Sequence, residues 1–318
     1  MKQKITLTIG EDITLDEGFK KFINQKKAVG LSQKSIKYYI SCYQYFKEYI
    51  GEDILCKEVN SDLVLNYINS LKDKNTVRDT SINTYLRGIR AILYFLMERG
   101  YVNRFKVELV RAEKKIKETY ADEELEILLK KPDIKNSSFA EYRNWVLICY
   151  LLGTGNRSNT VCNIKIKDLH FESHEVKLQV VKNKKQYIIP LSQTLEQTLQ
   201  EYLTFRGGTP DDYLFCNIYG EQLTTDALKN CIYKYNTKRG VSKTSIHLFR
   251  HTFAKKWILN GGDIFRLQKI LGHSSIDIVK EYVNMFGVDL QKNYAEFNPL
   301  DNMECMKKNN SRIKMLKK

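Results

Sequence analysis

Between residues 13 and 103 apolar side chains return every three or four residues through four successive segments, a period that helices bury along one face. Thr14 and Glu17 have the spacing of a capping box, which opens the first of these helices. Ile36, Tyr39, Tyr43, Phe46 and Ile50 form the stripe of a second helix that starts at Ser32 and ends at Gly51. Val64, Tyr67, Ile68 and Leu71 mark a third from Ser61. Ile82, Leu86, Ile89, Leu93 and Leu96 mark a fourth over 79–99, closed by Gly100. Four helices with short connections predict an all-α domain over 13–103, behind an N-terminal extension of residues 1–12.

The stretch 104–118 loses the apolar period while gathering Arg104, Lys106, Arg111, Lys114, Lys115 and Lys117, and reads as a basic linker. A second domain is expected over 119–300, with helices at 122–130, 139–152, 225–235, 247–260, 263–271 and 275–285. Two short strands interrupt them: Val176, Leu178 and Val180 alternate, and after a turn at Lys184 and Lys185 the chain runs extended over 186–189 until Pro190 stops it. The predicted class is mostly α with a small antiparallel β-sheet, followed by a Lys- and Asn-rich tail over 301–318.

Charge narrows the partners. Lys and Arg number 52 against 37 Asp and Glu, a net charge of +15, which favours a polyanion: nucleic acid or an anionic membrane face. The longest apolar stretch, 146–152, is far short of the roughly 20 residues a spanning helix needs. No signal-peptide pattern opens the chain. The seven cysteines are scattered without a C-x-x-C pair, which predicts neither a disulfide framework nor a Cys zinc site. A reduced, soluble protein of the bacterial cytoplasm, associated with the nucleoid and not with membrane, is the expectation.

Chemistry concentrates late in the chain. His247, His251 and His273 fall within 27 residues, alongside Arg250 and Tyr282. His247 and Arg250 share one helical face at their three-residue spacing, which alone describes many solvated surfaces. A zinc reading of His247 and His251 fails on Leu248, which stands where a metalloprotease needs its glutamate.

The run His247-Leu248-Phe249-Arg250-His251-Thr252-Phe253-Ala254 is followed by Leu271-Gly272-His273-Ser274-Ser275-Ile276, with Tyr282 nine residues beyond His273. Upstream stand Thr154-Gly155-Asn156-Arg157 and a Lys182-to-Leu191 segment of the form K-x-x-K-x-x-x-x-P-L. In order and interval these resemble the boxes of the tyrosine recombinase (phage integrase) family, and the resemblance spans about residues 13–300. It implies a two-domain C-shaped clamp, with a helical core-binding domain and an α+β catalytic domain closing round duplex DNA. It implies cleavage through a 3′-phosphotyrosine at Tyr282 and religation by way of a Holliday junction. The bond energy is retained, so no cofactor, ATP or metal is called for.

The roles follow from phosphate chemistry. Arginine matches two phosphate oxygens with one planar fork and keeps its charge, so Arg157 and Arg250 are expected to hold the scissile phosphate, with His247 and His273 adding donors. A phenol with a pKa near 10 needs a base, and His247 is the candidate; Lys182 would protonate the departing 5′ hydroxyl. Thr160 departs from the family pattern, which has Glu or Asp there to support the first arginine, and Asn284 replaces a frequent His. Lys34, Lys37, Arg87 and Arg90, on polar faces of the first domain, are candidate DNA contacts.

A type IB topoisomerase shares this chemistry but works without a partner duplex, and the L-G-H-S-S box favours a recombinase. A non-catalytic DNA-binding regulator on the same scaffold is opposed by the intact set of reacting residues. The expected partners are specific recombination sites in double-stranded DNA, a homo-tetramer on that DNA, and accessory DNA-bending or directionality factors. Phe286, Val288, Leu290, Tyr294 and Phe297 are expected to pack on a neighbouring protomer, and the departures point to a mobile element's integration and excision enzyme.

Overall fold

A computed structural model of the chain describes residues 12–73, 77–112, 118–179, 186–272, 275–286 and 303; the side chains of 179, 186, 277, 278, 285 and 286 lie outside that description. It divides into two compact units, Met1–Lys115 and Ile116–Lys318. The break falls inside the expected linker.

The first unit holds α1 (Leu15–Ala28), α2 (Gln33–Ile50), α3 (Ser61–Asp73) and α4 (Asp79–Glu98). Their ends are written locally. Thr14 accepts from the Glu17 amide while the Glu17 carboxylate accepts from the Thr14 amide, so the expected capping box is formed. Ser32 caps α2, and Gly51 ends it in the left-handed conformation. The helices close over a shared apolar core that includes Phe22, Phe46, Tyr67, Ile82, Leu86 and Leu96. α2 and α4 approach closely at one point: a Cβ placed on Gly88 would stand 2.5 Å from the Cys42 sulfur.

The expected linker begins later than the charge pattern suggests. Val102 and Val107 are buried in the first unit's core, and Leu109 and Val110 pack against it. The Asn83 side chain donates to the Val110 carbonyl and accepts from its amide, at 2.7 and 2.8 Å. Alternating apolar residues among the cations therefore tie this stretch to α4, and residues 113–117 lie outside the described part of the chain.

The second unit runs α5 (Asp122–Leu129), α6 (Phe139–Thr154), α7 (Ser158–Asn163), β1 (Leu169–His170), β2 (Glu175–Gln179), β3 (Gln186–Pro190), α8 (Gln193–Arg206), α9 (Thr225–Lys238), α10 (Ile246–Leu259), α11 (Ile264–Leu271) and α12 (Asp277–Phe286). The strands form one antiparallel sheet in the order β1-β2-β3, with Val176 opposite Ile189 and Leu178 opposite Tyr187. Three strands are present where two are expected, because the two-residue β1 is too short to show alternation. Pro190 is the last residue of β3 and not a stop before it, tolerated because β3 is an edge strand.

Two apolar clusters organise this unit. The larger gathers α6, the sheet, α8 and α9 around residues such as Val146, Tyr150, Val176, Leu199 and Ile232. The smaller consists of Ala254, Ile258, Leu267, Leu271, Val279 and Tyr282 from α10, α11 and α12. α10 serves both: Ile246 and Phe249 belong to the larger cluster, Ala254 and Ile258 to the smaller. Its middle turn, where Arg250 and His251 stand, lies at their junction. No described helix is long and apolar enough to cross a membrane.

Gly88→Ala tests the α2–α4 contact. The methyl gains helix propensity but forces the helices apart, so a net loss of about 1–3 kcal/mol is expected in urea unfolding of the full chain.

Candidate active site

The turn 154–157 starts the site. α6 ends with Gly155 in the left-handed conformation, φ 61°. A Cβ there would stand 2.7 Å from Phe253 and 2.8 Å from Leu271, so both backbone shape and close approach require glycine. The turn is braced from within, since the Asn156 amide nitrogen donates to the Tyr150 hydroxyl at 2.9 Å. Arg157 follows as the N-cap residue of α7 and presents its side chain outward.

Both arginines converge on the C-terminal end of α11. The last carbonyls of a helix have no partner within it, and they carry the negative end of the helix dipole. Arg250, only 5% exposed, donates to the Gly155 and Leu271 carbonyls, each at 2.8 Å. Arg157 donates to the Leu271 and Gly272 carbonyls at 3.2 and 3.3 Å. Leu271 thus receives a guanidinium from each side. Thr160 lies on α7, and the support that a carboxylate gives in the family pattern comes to Arg157 here from backbone carbonyls. Burial, and then the charge of Arg157, push the Arg250 guanidinium down to about 10.

Tyr282 is 2% exposed and sits in the smaller apolar cluster. Its hydroxyl and His251 Nδ1 are hydrogen-bonded at 2.7 Å. Burial raises the phenol pKa, while the charges of Arg250 and Arg157 oppose that rise. Cations and phenol therefore act on one another across this site.

His247 stands one turn before His251 on α10. With Ser158, Lys229, Asn230, Tyr233 and Thr244 it lines a cavity of about 260 Å³. Its pKa is lowered, by burial first and then by Arg250, Lys229 and Arg157, so the ring is neutral at pH 7. The hydrogen-bond partner of Tyr282 is accordingly His251, which the sequence reading weighed only as a metal ligand. Its signal was present: it directly follows Arg250 in the H-x-x-R-H run.

Lys182 and His273 lie outside the described residues, as do Val288, Leu290, Tyr294 and Phe297, and the Phe286 side chain. In the first unit Lys34 and Lys37 are exposed on α2 and Arg87 is exposed on α4, with Arg90 half-buried. The Tyr38 hydroxyl, beside Lys37, donates to the Thr84 carbonyl at 2.6 Å, and the charge of Arg87 acts on that phenol. Among the described residues no group of three or more His, Cys, Asp or Glu is placed to hold a metal ion.

Comparison with known proteins agrees with this geometry. The phage integrase family matches residues 118–287, and the phage integrase SAM-like domain matches residues 14–116. Tyrosine recombinase XerD of Staphylococcus haemolyticus is 28% identical over 298 residues, covering 90% of this chain and 99% of the relative. A tyrosine recombinase of Pseudothermotoga lettingae is 28% identical over 270 residues, covering 82% and 90%. In fold the chain resembles the Tn1549 transposon integrase in complex with transposon right end DNA, at TM-score 0.69 and 20% identity, covering 89% and 98%. A lambda integrase dimer bound to a core site has TM-score 0.68 at 16% identity, covering 85% and 95%. Two arginines joined on one helix end, with a buried tyrosine in their field and a family match over more than half of the length, make this chain a member of the phage integrase family, the tyrosine site-specific recombinases.

Proposed function

We propose that this enzyme cuts duplex DNA with Tyr282 at a phosphate held by Arg157 and Arg250, and rejoins it to a second strand. The observation that carries the reading is the meeting of both guanidinium groups on the Leu271 carbonyl, with the Tyr282 phenol in their field. A cationic pair held before the substrate arrives favours the extra charge that attack places on the phosphate oxygens, and costs no reorganisation at that moment. The phenol oxygen forms a bond to phosphorus, the bond to the 5′ oxygen breaks, and the leaving oxygen takes up a proton as the 5′ hydroxyl. Lys182 is assigned to supply that proton, and His273 to donate to the phosphate.

The proton of Tyr282 passes to a histidine. His251 is already at hydrogen-bond distance from the phenol oxygen and is the first acceptor in this arrangement. His247, neutral and beside Arg157 and Arg250 in charge, is assigned to the phosphate. Lys34, Lys37, Arg87 and Arg90 are assigned to DNA backbone contacts, which position the protein without reading sequence. The helical first domain and the catalytic second domain are taken to close round the DNA as a tetramer across two duplexes, with religation by way of a Holliday junction.

Incubating the protein with a nicked suicide duplex carrying its site should give a covalent adduct on denaturing gels. The adduct should vanish in Tyr282→Phe; its absence in wild type, or its survival in the variant, refutes the assignment. The same assay carries a pH test. Because burial and then the charges of Arg250, Lys229 and Arg157 depress the His247 pKa, a cleavage rate that depends on its neutral form should rise with pH along an acidic limb whose midpoint lies below 6.5, until other groups titrate. His247→Gln should abolish that acidic limb; a limb centred above 6.5 argues against the neutral-ring role.

We infer a mobile element's integration and excision as the biological setting, supported by Thr160 and Asn284, which leave the pattern of the family. Trapping covalent adducts in cells and sequencing the attached DNA should return element ends. A single chromosomal dimer-resolution site would overturn this setting and leave the chemistry intact.

A further inference from the structure

Tyr187 has so far no part in the chemistry. It stands on β3, opposite Leu178, five positions after Lys182 in the sequence. Successive side chains of a strand point to opposite faces. Ile189 is fully buried and Ile188 is 47% exposed, so Tyr187 shares the inner face with Ile189. At its tip the ring meets the left-handed turn that ends α11: a Cβ on Gly272 would be 3.3 Å from the ring and 3.5 Å from its hydroxyl oxygen. Gly272 is the residue whose carbonyl accepts from Arg157.

The Tyr187 hydroxyl is buried and, among the described residues, has no hydrogen-bond partner. Nearly all buried polar groups are paired, because leaving one unmade costs about 1–3 kcal/mol of desolvation. Tyr187 is not remote packing. Burial pushes its phenol up to about 12, and the two charges that oppose this are those of Arg250 and Arg157. An unpaired O–H in the field of two cations is suited to a partner that is anionic and arrives with the substrate.

We propose that the Tyr187 hydroxyl donates a hydrogen bond to a non-bridging oxygen of the DNA phosphate held by Arg157 and Arg250, making it a further catalytic residue on β3. The inference rests on the reading of the arginine pair given above. It adds a neutral donor to the two cationic ones, on an element separate from α7 and α10. Gly272 leaves room for the ring, so a larger residue there would exclude the hydroxyl from this place.

The test uses the duplex recovered by adduct sequencing, synthesised nicked, with either the natural diester or each methylphosphonate diastereomer at the scissile position. A methylphosphonate replaces one non-bridging oxygen with a methyl group that cannot accept. Tyr187→Phe keeps the ring against Gly272 and removes only the hydroxyl. Cleavage of the diester should fall roughly 10- to 100-fold, the range for a hydrogen bond to a charged group. On one diastereomer the variant and wild type should agree within about threefold, as a broken pairwise coupling requires. Its melting temperature should equal or exceed that of wild type, since an unpaired group is lost.

Wild-type rates on the diester, an equal penalty on the diester and both diastereomers, or a lowered melting temperature would each overturn the proposal. Tyr187→Leu removes the ring as well, and should lose stability in addition to rate. No adduct from wild type on the diester removes the recombinase chemistry and this inference with it; normal wild-type cleavage with an unaffected Tyr187→Phe removes this inference alone.

Discussion

The carbonyl of Leu271 is the point on which the catalytic unit depends. It is one of the orphan acceptors that every helix end leaves, and two guanidinium groups from separate elements satisfy it. Arg250 comes from α10, whose other side is locked into the larger core by Ile246 and Phe249. Arg157 comes from the turn after α6, shaped by Gly155. Burying a charge and bringing a like charge beside it both cost free energy, and the Arg250 pKa is depressed first by burial and then by Arg157. Carbonyl oxygens and the negative end of the α11 dipole offset it without introducing a carboxylate that would compete with a phosphate for the same donors.

Tyr282, the proposed nucleophile, shares one small apolar cluster with Leu271, whose carbonyl holds both arginines. Tyr282 is held in the small cluster of α10, α11 and α12, which is separate from the larger core. A cluster of so few apolar residues is easier to open than the main core, because opening it exposes little surface. Tyr282 thereby lies within the field of the cations, with its phenol on His251.

Much of the secondary structure was legible because its signals are local. Thr14 with Glu17, Ser32, Gly51 and Gly155 mark helix ends through hydrogen bonds and backbone angles that involve only neighbours. α8 was passed over although Ser192, Leu195, Leu199, Tyr202 and Gly207 carry both cap and period; the strand signals before it drew the reading. Within the expected linker, charges masked Val107, Leu109 and Val110, which pack on the first unit's core through contacts that local spacing does not show. His251 was set aside because its role depends on which way α10 faces, and spacing alone does not give that.

By itself the sequence determined which residues are proposed to carry the chemistry: the spacing of Arg157, His247, Arg250, His273 and Tyr282 singles out one tyrosine among 20. It also determined the helix ends, since caps and glycine turns act within a few residues. Only the tertiary structure decided how those residues are held and paired. That the arginines share Leu271, that Tyr282 bonds to His251, and that the Tyr187 hydroxyl has no partner among the described residues all join residues from about 21 to 115 positions apart or concern burial. Such contacts are set by the packing of one element on another, which no local spacing encodes.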